Sequence, residues 1–180
     1  MSQRPNIALY EPDIPQNTAA IIRTCACLGA KLEIIEPCGF HLSDKRFKRV
    51  VMDYMDLNKI EIHQSAKKFF EAKKNQRVVM DYMDLNKIEI HQSAEKFFEA
   101  KKNHRVVLMT TKASISYLKF KFEKNDTILF GRESAGVPES IHQSINDRLK
   151  IPMNENARSL NIASSVAIVL AESLRQTQLL

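Results

Sequence analysis

Paired cysteines are missing from this sequence. Its 180 residues include three, Cys25, Cys27 and Cys38. An odd number with no CxxC spacing excludes a disulfide framework and a cysteine zinc site as the basis of the fold. Three buried or half-buried free thiols of a reducing compartment are expected instead. Long apolar runs are missing too. Met1 to Pro5 is polar, unlike a signal peptide, and no stretch approaches the ~20 residues needed to cross a bilayer. The longest, Ile162 to Leu170, is interrupted by Ser164 and Ser165. A soluble, cytoplasmic protein is the expectation. There is no P-loop, no GxGxxG after the first apolar run and no GxSxG. The five histidines, His41, His63, His91, His104 and His142, fall outside the polar loops described below, so neither a histidine-driven mechanism nor a metal site is expected.

What is present is an ordinary globular composition, 44% hydrophobic and 27% charged, in a length that fits one domain able to fold without metals or disulfides. The net charge of +6 and a pI near 9.2 permit attraction to a polyanion without requiring it.

The middle of the chain repeats itself. Residues 49–76, RVVMDYMDLNKIEIHQSAKKFFEAKKNQ, return as residues 77–104 with two changes, Lys67 against Glu95 and Gln76 against His104. A third RVV follows at Arg105. Two copies do not make a solenoid, which needs three or more stacked units, and their near-identity points to a recent or engineered tandem duplication inside one domain spanning 1–180. The second copy carries five basic and five acidic residues, so it does not make the chain more basic.

Apolar and polar patterning predicts alternating strands and helices. NIALY (Asn6–Tyr10) and KLEII (Lys31–Ile35) have strand character. Between them lies a helix over about Ala19 to Leu28, capped by Asn17 or Thr18 and ended by Gly29. A short basic helix is predicted over Asp44–Val51. Each repeat copy offers a strand (Lys59–His63, Lys87–His91) and then a helix (Ser65–Lys74, Ser93–Lys102) capped by its serine, with His63 and His91 at equivalent strand ends. Arg105–Thr110 and Thr127–Phe130 are continuous apolar strands, as in a sheet covered on both faces. Leu149–Met153 is a further strand, and Ser159–Gln176 the last helix. The class is α/β with a mainly parallel sheet flanked by helices, so ligands are expected beyond the carboxyl ends of the strands.

Three loops lie there. GRESAGVP, Gly131–Pro138, has glycines that let backbone approach a ligand or turn tightly, with Glu133 between them to accept from a ribose or an amine. NENARSLNIASS, after Ile151–Met153, sets Arg158, Ser159 and Asn161 before an apolar helix; taken alone, these residues read equally well as a helix N-cap. EPDIPQNTAAIIR, Glu11–Arg23, carries Asn17 and Arg23, an arginine that suits phosphate or simply a solvated helix face.

With NTAAIIR, FGRESAGVP and IPM…ARSLNIASS in this order, the chain resembles the SPOUT superfamily of RNA methyltransferases. The stretch LYEPDIPQNTAAIIRTCACLGAKLEIIEPCGF (Leu9–Phe40) and DKRFKR (Asp44–Arg49) are especially similar to its small members that methylate the wobble-position ribose of tRNA. The resemblance covers nearly the whole chain except one repeat copy. It implies a C-terminal trefoil knot, an exception to the rule against threaded loops. It also implies S-adenosylmethionine as methyl donor, held largely by backbone at Met109, Gly131, Ile151 and Ser159, with Glu133, Met153, Leu160, Asn161 and Ala163 in the same pocket. It implies tRNA as substrate, a homodimer in which the Arg23 loop of one subunit completes the other's site, and catalytic roles for Arg23 and Asn17. A guanidinium is a poor base, so orientation of the 2′-hydroxyl and stabilisation of the developing alkoxide are the expected roles for Arg23. Lys45, Arg46, Lys48 and Arg49, with Arg158, form the expected RNA-facing set, although a solvated basic face would look the same. Relatives often read NTGN where this chain has NTAA, and a tyrosine where it has Ala171. A 2′-O-methyltransferase for another tRNA or rRNA site, and a silent RNA- or nucleotide-binding protein disabled by the duplication, are the alternatives.

Overall fold

A computed structural model describes residues 4–42, residue 47 and residues 88–179. Among the described residues, seven strands form one sheet in the order β3-β2-β1-β6-β4-β7-β5. They are β1 (Asn6–Tyr10), β2 (Lys31–Ile35), β3 (Ile88–His91), β4 (Val106–Met109), β5 (Ile115–Ser116), β6 (Thr127–Phe130) and β7 (Asp147–Lys150). Every pairing is parallel. The reason is legible in the strands themselves. β1, β2, β4 and β6 are almost wholly buried, and their uninterrupted apolar runs suit a sheet with helices on both faces.

Alternate residues sort to the two faces. Ile7, Leu9, Ile34, Val107, Met109, Ile128 and Phe130 point to one core, which α1 (Pro15–Leu28) and α4 (Ile162–Gln176) cover with Ile21, Ile22, Cys25, Val166, Val169 and Leu170. Ala8, Tyr10, Ile35, Leu108 and Leu129 point to the other, closed by Phe97 of α2 (Ala94–Ala100) and by Ile145, which follows α3 (Glu139–Ser144). Arg105 fastens the entry of the central strands. Its Nε and one terminal nitrogen each lie 2.7 Å from the buried Asp126 carboxylate.

Several predicted boundaries are corrected. α1 begins at Pro15, because proline is preorganised for the first helical position. Its N-cap is Ile14 with no side-chain bond, so neither Asn17 nor Thr18 caps it. β7 is Asp147–Lys150 rather than Leu149–Met153; Pro152 has no N–H to give to a ladder. α4 starts at Ile162 with Asn161, not Ser159, as cap. The strand of residues 115–116, a 3-10 turn at Tyr117–Lys119 and α3 are too short to leave a periodic signal and went unpredicted. Of the three thiols, Cys25 is buried and Cys38 half-buried, but Cys27 is exposed. Burial pushes the Cys25 and Cys38 thiols up to about 12.

β3 and α2 come from the second repeat copy. Ser93 caps α2, accepting from the Lys96 amide at 3.4 Å. The unit is anchored by ions as well as by Phe97. Glu33 of β2, fully buried, accepts from Lys101 Nζ at 2.6 Å and pairs with His91 Nε2 at 2.9 Å. Lys31 pairs with Glu89 alongside. Glu33, Glu89 and His91 bring three possible metal-ligating atoms within 4.8 Å, but both carboxylates are already held by lysines. The first copy's predicted strand and helix, and the basic helix over Asp44–Val51 apart from Phe47, lie outside the described residues. Phe47 is buried and stacks at 5.2 Å on Phe40.

Candidate functional site

The carboxyl ends of β1, β6, β4 and β7 lie side by side, and the loops that leave β1, β6 and β7 are the three motif loops. Hydrogen bonds tie them together. Asn161 Nδ2 donates to Asn17 Oδ1 at 3.0 Å, and Asn17 Nδ2 donates to Glu133 Oε1 at 3.1 Å. The other Glu133 oxygen accepts from the Asp13 amide at 2.9 Å. The amide directions in this relay are fixed at both ends. A carboxylate only accepts. Asn161 Oδ1 is already committed to the Ala163 and Ser164 amides, at 2.9 and 3.3 Å, as the cap of α4.

The loop after β6 is shaped by two glycines. The amides and carbonyls of Arg132 and Gly136 exchange bonds of 3.0 and 2.9 Å, closing a tight turn around Glu133. Gly136 takes φ 71°, a conformation that favours glycine. Gly131 is required for a different reason: a Cβ there would lie 2.5 Å from the Gly136 carbonyl carbon. A second set of contacts binds this turn to the β1 loop. Arg132 donates to Asp13 Oδ1 at 3.1 and 2.6 Å and to Glu11 at 3.0 Å, and the Ser134 amide donates to Asp13 at 3.2 Å. Arg132 and Ser134 hold the Asp13 carboxyl down at about 2. Glu11 itself has φ 42°, a left-handed backbone that costs a non-glycine residue roughly 1 kcal/mol or more. Tyr10, just before it, is pushed up to about 12 by burial and by Glu11, so its hydroxyl stays protonated near neutrality.

The apolar side of the site is built by strand register. Met109 lies between Phe130 and Leu149, so it precedes both the Gly131 and Ile151 loops. Ile151 and Ala163 pack, half-buried, against the core that contains Met109. Met153 is half-buried, while Ser159, Leu160 and Arg158 are exposed.

The structure therefore joins Asn17, Glu133 and Asn161 directly, and clusters Met109, Ile151 and Ala163 nearby. Helix geometry sets Arg23 apart from Asn17 on the same helix. Arg23 is exposed on α1, six residues beyond Asn17, or about 9 Å along the axis and some 240° around it. Lys45, Arg46, Lys48 and Arg49 lie outside the described residues. Sequence reasoning missed Glu11, Asp13, Arg132 and Ser134. The available signal was two carboxylates after β1 and an arginine inside the Gly131 loop, both at carboxyl ends of strands.

A model of the SpoU rRNA Methylase family matches residues 4–79 and 70–171, two stretches that overlap inside the duplicated segment. The chain belongs to this family. A tRNA (cytidine(34)-2′-O)-methyltransferase from Ancylobacter novellus is 42% identical over 95% of this chain and 92% of its own length. A solved structure described as giving structural insights into the 2-OH methylation of C/U34 on tRNA superposes with a TM-score of 0.76 at 31% identity, covering 98% of this chain and 97% of the other. The fold is shared more distantly by an AdoMet-bound rRNA methyltransferase from Sinorhizobium meliloti, with TM-score 0.72 and 21% identity over 97% of this chain and 57% of that one. Among the described residues of this SpoU family chain, no helix is long and apolar enough to cross a membrane.

Proposed function

We propose that this SpoU family protein transfers a methyl group from S-adenosylmethionine to the ribose 2′-hydroxyl of nucleotide 34 in tRNA. One observation carries the reading. The Asn161–Asn17–Glu133 relay joins the three loops whose motifs resemble the wobble-position enzymes. The relatives named for cytidine 34 match nearly end to end and support the substrate. The donor set suits the cofactor: a carboxylate and amides for its ribose and amine, and half-buried Met109, Ile151, Met153 and Ala163 with exposed Leu160 for its apolar parts. Gly131 and Ser159 would offer backbone to it. We further place residues 131–161 in the trefoil knot that the family resemblance implies.

When bound, the cofactor supplies an electrophilic methyl group. The rest of the work falls to this chain. Asn17, oriented from both sides, presents a fixed amide to the reacting ribose. Arg23 aligns the 2′-oxygen and stabilises the negative charge that develops on it while a phosphate of the RNA substrate takes the proton. Arg23 lies on a different side of α1 from Asn17, so it serves the site of a second subunit. Ile14, Leu160 and Ile168, exposed by 38–41% around α1 and α4, support a homodimer through that face. Arg158, with Lys45, Arg46, Lys48 and Arg49, meets the RNA backbone.

Calorimetry should detect S-adenosylmethionine binding, and mapping of 2′-O-methyl groups in total tRNA should place the product at nucleotide 34. Arg23→Ala should then lower turnover by about 10²–10³, the loss typical of one oxyanion-stabilising donor, while cofactor affinity stays within a few-fold. Equal loss of cofactor binding would show that Arg23 belongs to the pocket instead.

The domain is single, and the repeat is an addition to it. β3 and α2 already supply the strand and helix before β4. Deleting residues 49–76 should therefore preserve folding, cofactor binding and methyl transfer. A deletion protein that no longer folds cooperatively would make the repeat integral.

A further inference from the structure

Asp13 is gripped by three consecutive residues of the opposing loop. Its carboxylate accepts from the Arg132 guanidinium at 3.1 and 2.6 Å, and from the amide and hydroxyl of Ser134. Its own amide donates to Glu133 at 2.9 Å. The contact is reciprocal: side chain to residues 132 and 134, backbone to residue 133. Gly39 closes the back of it, with its amide bonded to the Pro12 carbonyl at 2.9 Å and room for no Cβ, which would lie 2.9 Å from the Asp13 Cα. Glu11, in its strained backbone, holds the remaining terminal nitrogen of Arg132.

We propose that Asp13, with Arg132, is a positioning residue: the pair locks the β6 loop onto the β1 loop so that Glu133 is aimed at Asn17. The proposal rests on the reading of Glu133 and Asn17 as site residues. The physical case is one of degrees of freedom. Glu133 is a flexible side chain on a turn, and nothing in the turn itself fixes which way its carboxylate faces. The Asp13 amide fixes one oxygen, which leaves the other for Asn17 Nδ2. That amide is held by the Gly39 bond to the Pro12 carbonyl of the same peptide and by its own side chain, which is bound on both sides of Glu133. A charge-assisted pair of this kind is stronger than neutral hydrogen bonds and sets geometry as well as energy.

Asp13→Asn puts an amide nitrogen where the Ser134 amide and hydroxyl donate, so it loosens the grip while conserving shape. The test is a double-mutant cycle with Glu133→Gln, read in turnover and in S-adenosylmethionine affinity, and supported by amide hydrogen exchange. Asp13→Asn should lower turnover about tenfold, with the KM for tRNA and the melting temperature little changed. Adding it to Glu133→Gln should cost nothing further, because the group it acts through is already impaired. Arg132→Lys, which keeps the charge, should lose less than Arg132→Met. Losses that multiply in the double variant, or a fully active Asp13→Asn, overturn the proposal. Exchange decides independently of catalysis. Glu133→Gln should speed exchange at the Asp13 amide, and Asp13→Asn at the Ser134 amide; unchanged rates at both overturn the lock. A wild-type protein that neither binds S-adenosylmethionine nor methylates tRNA would instead sink the functional reading, and the exchange data would still judge the lock.

Discussion

Gly131→Ala should weaken cofactor binding at least tenfold. The added Cβ would meet only backbone: the Gly136 carbonyl carbon at 2.5 Å, its Cα at 2.7 Å and the Val137 nitrogen at 2.8 Å. A flexible side chain could swing away from such a contact, but these atoms can move only if the turn opens. Opening it breaks the paired bonds between Arg132 and Gly136 and displaces Glu133, which sits between them. Overpacking of this kind costs about 1–3 kcal/mol of stability. The larger effect falls on the site, because Glu133, Asn17 and Asn161 are bonded in series and a shift at one end reaches the others. We expect calorimetry to show at least a tenfold weaker S-adenosylmethionine affinity, equivalent to about 1.4 kcal/mol, in a protein that still unfolds cooperatively. Unaltered affinity would mean that the turn is not part of the pocket.

Glu33→Ala should be the most destabilising substitution at the sheet edge. It leaves Lys101 Nζ and His91 Nε2, 2.6 and 2.9 Å from the lost carboxylate, inside a nearly water-free layer; Lys101 is 8% exposed and His91 6%. Breaking a buried ion pair from one side typically costs about 3–5 kcal/mol, because the remaining charge has no compensation. In a chain of this length that lowers the melting temperature by roughly 10 °C. The double variant Glu33→Met with Lys101→Met should recover part of the loss, since apolar replacement of a buried pair is often neutral and His91 keeps Glu89 at 3.9 Å. Urea denaturation of the set checks this. A double variant as unstable as Glu33→Ala would show that lost packing, not stranded charge, is the cause.

The strands were the most legible part of the sequence. NIALY, KLEII and TILF have observed ends identical to the predicted ones, because a short apolar run bounded by polar residues has few other places to go in a covered parallel sheet. Helix starts were harder. Pro15 looks like turn punctuation and is in fact the first helical residue. Ser159 and Asn161 are both good caps by chemistry, and the structure distinguishes them: Asn161 accepts from the Ala163 and Ser164 amides and is tied to Asn17. The convergence of the three loops could be anticipated from their shared place at the carboxyl ends of predicted parallel strands. The Asp13–Arg132 contact could not, since its partners lie far apart in the chain and a local pattern carries no record of such pairs. Glu33 did leave a trace: a charge inside KLEII implies a buried counter-charge, although not that His91 and Lys101 provide it.

The central place of β1 has a consequence for synthesis. Asn6 pairs with Lys31 on one side and with Thr127 on the other, so the strand that is made first waits for about 120 further residues before its second edge is covered. At translation rates of about 5–20 residues per second, that delay is roughly 6–24 s. The duplicated 28-residue unit lies wholly within the interval and contributes roughly 1–6 s of it. During this time an apolar strand with one open edge is available to other chains. Yield from the ribosome, rather than stability once folded, is where the repeat should weigh most heavily on this protein.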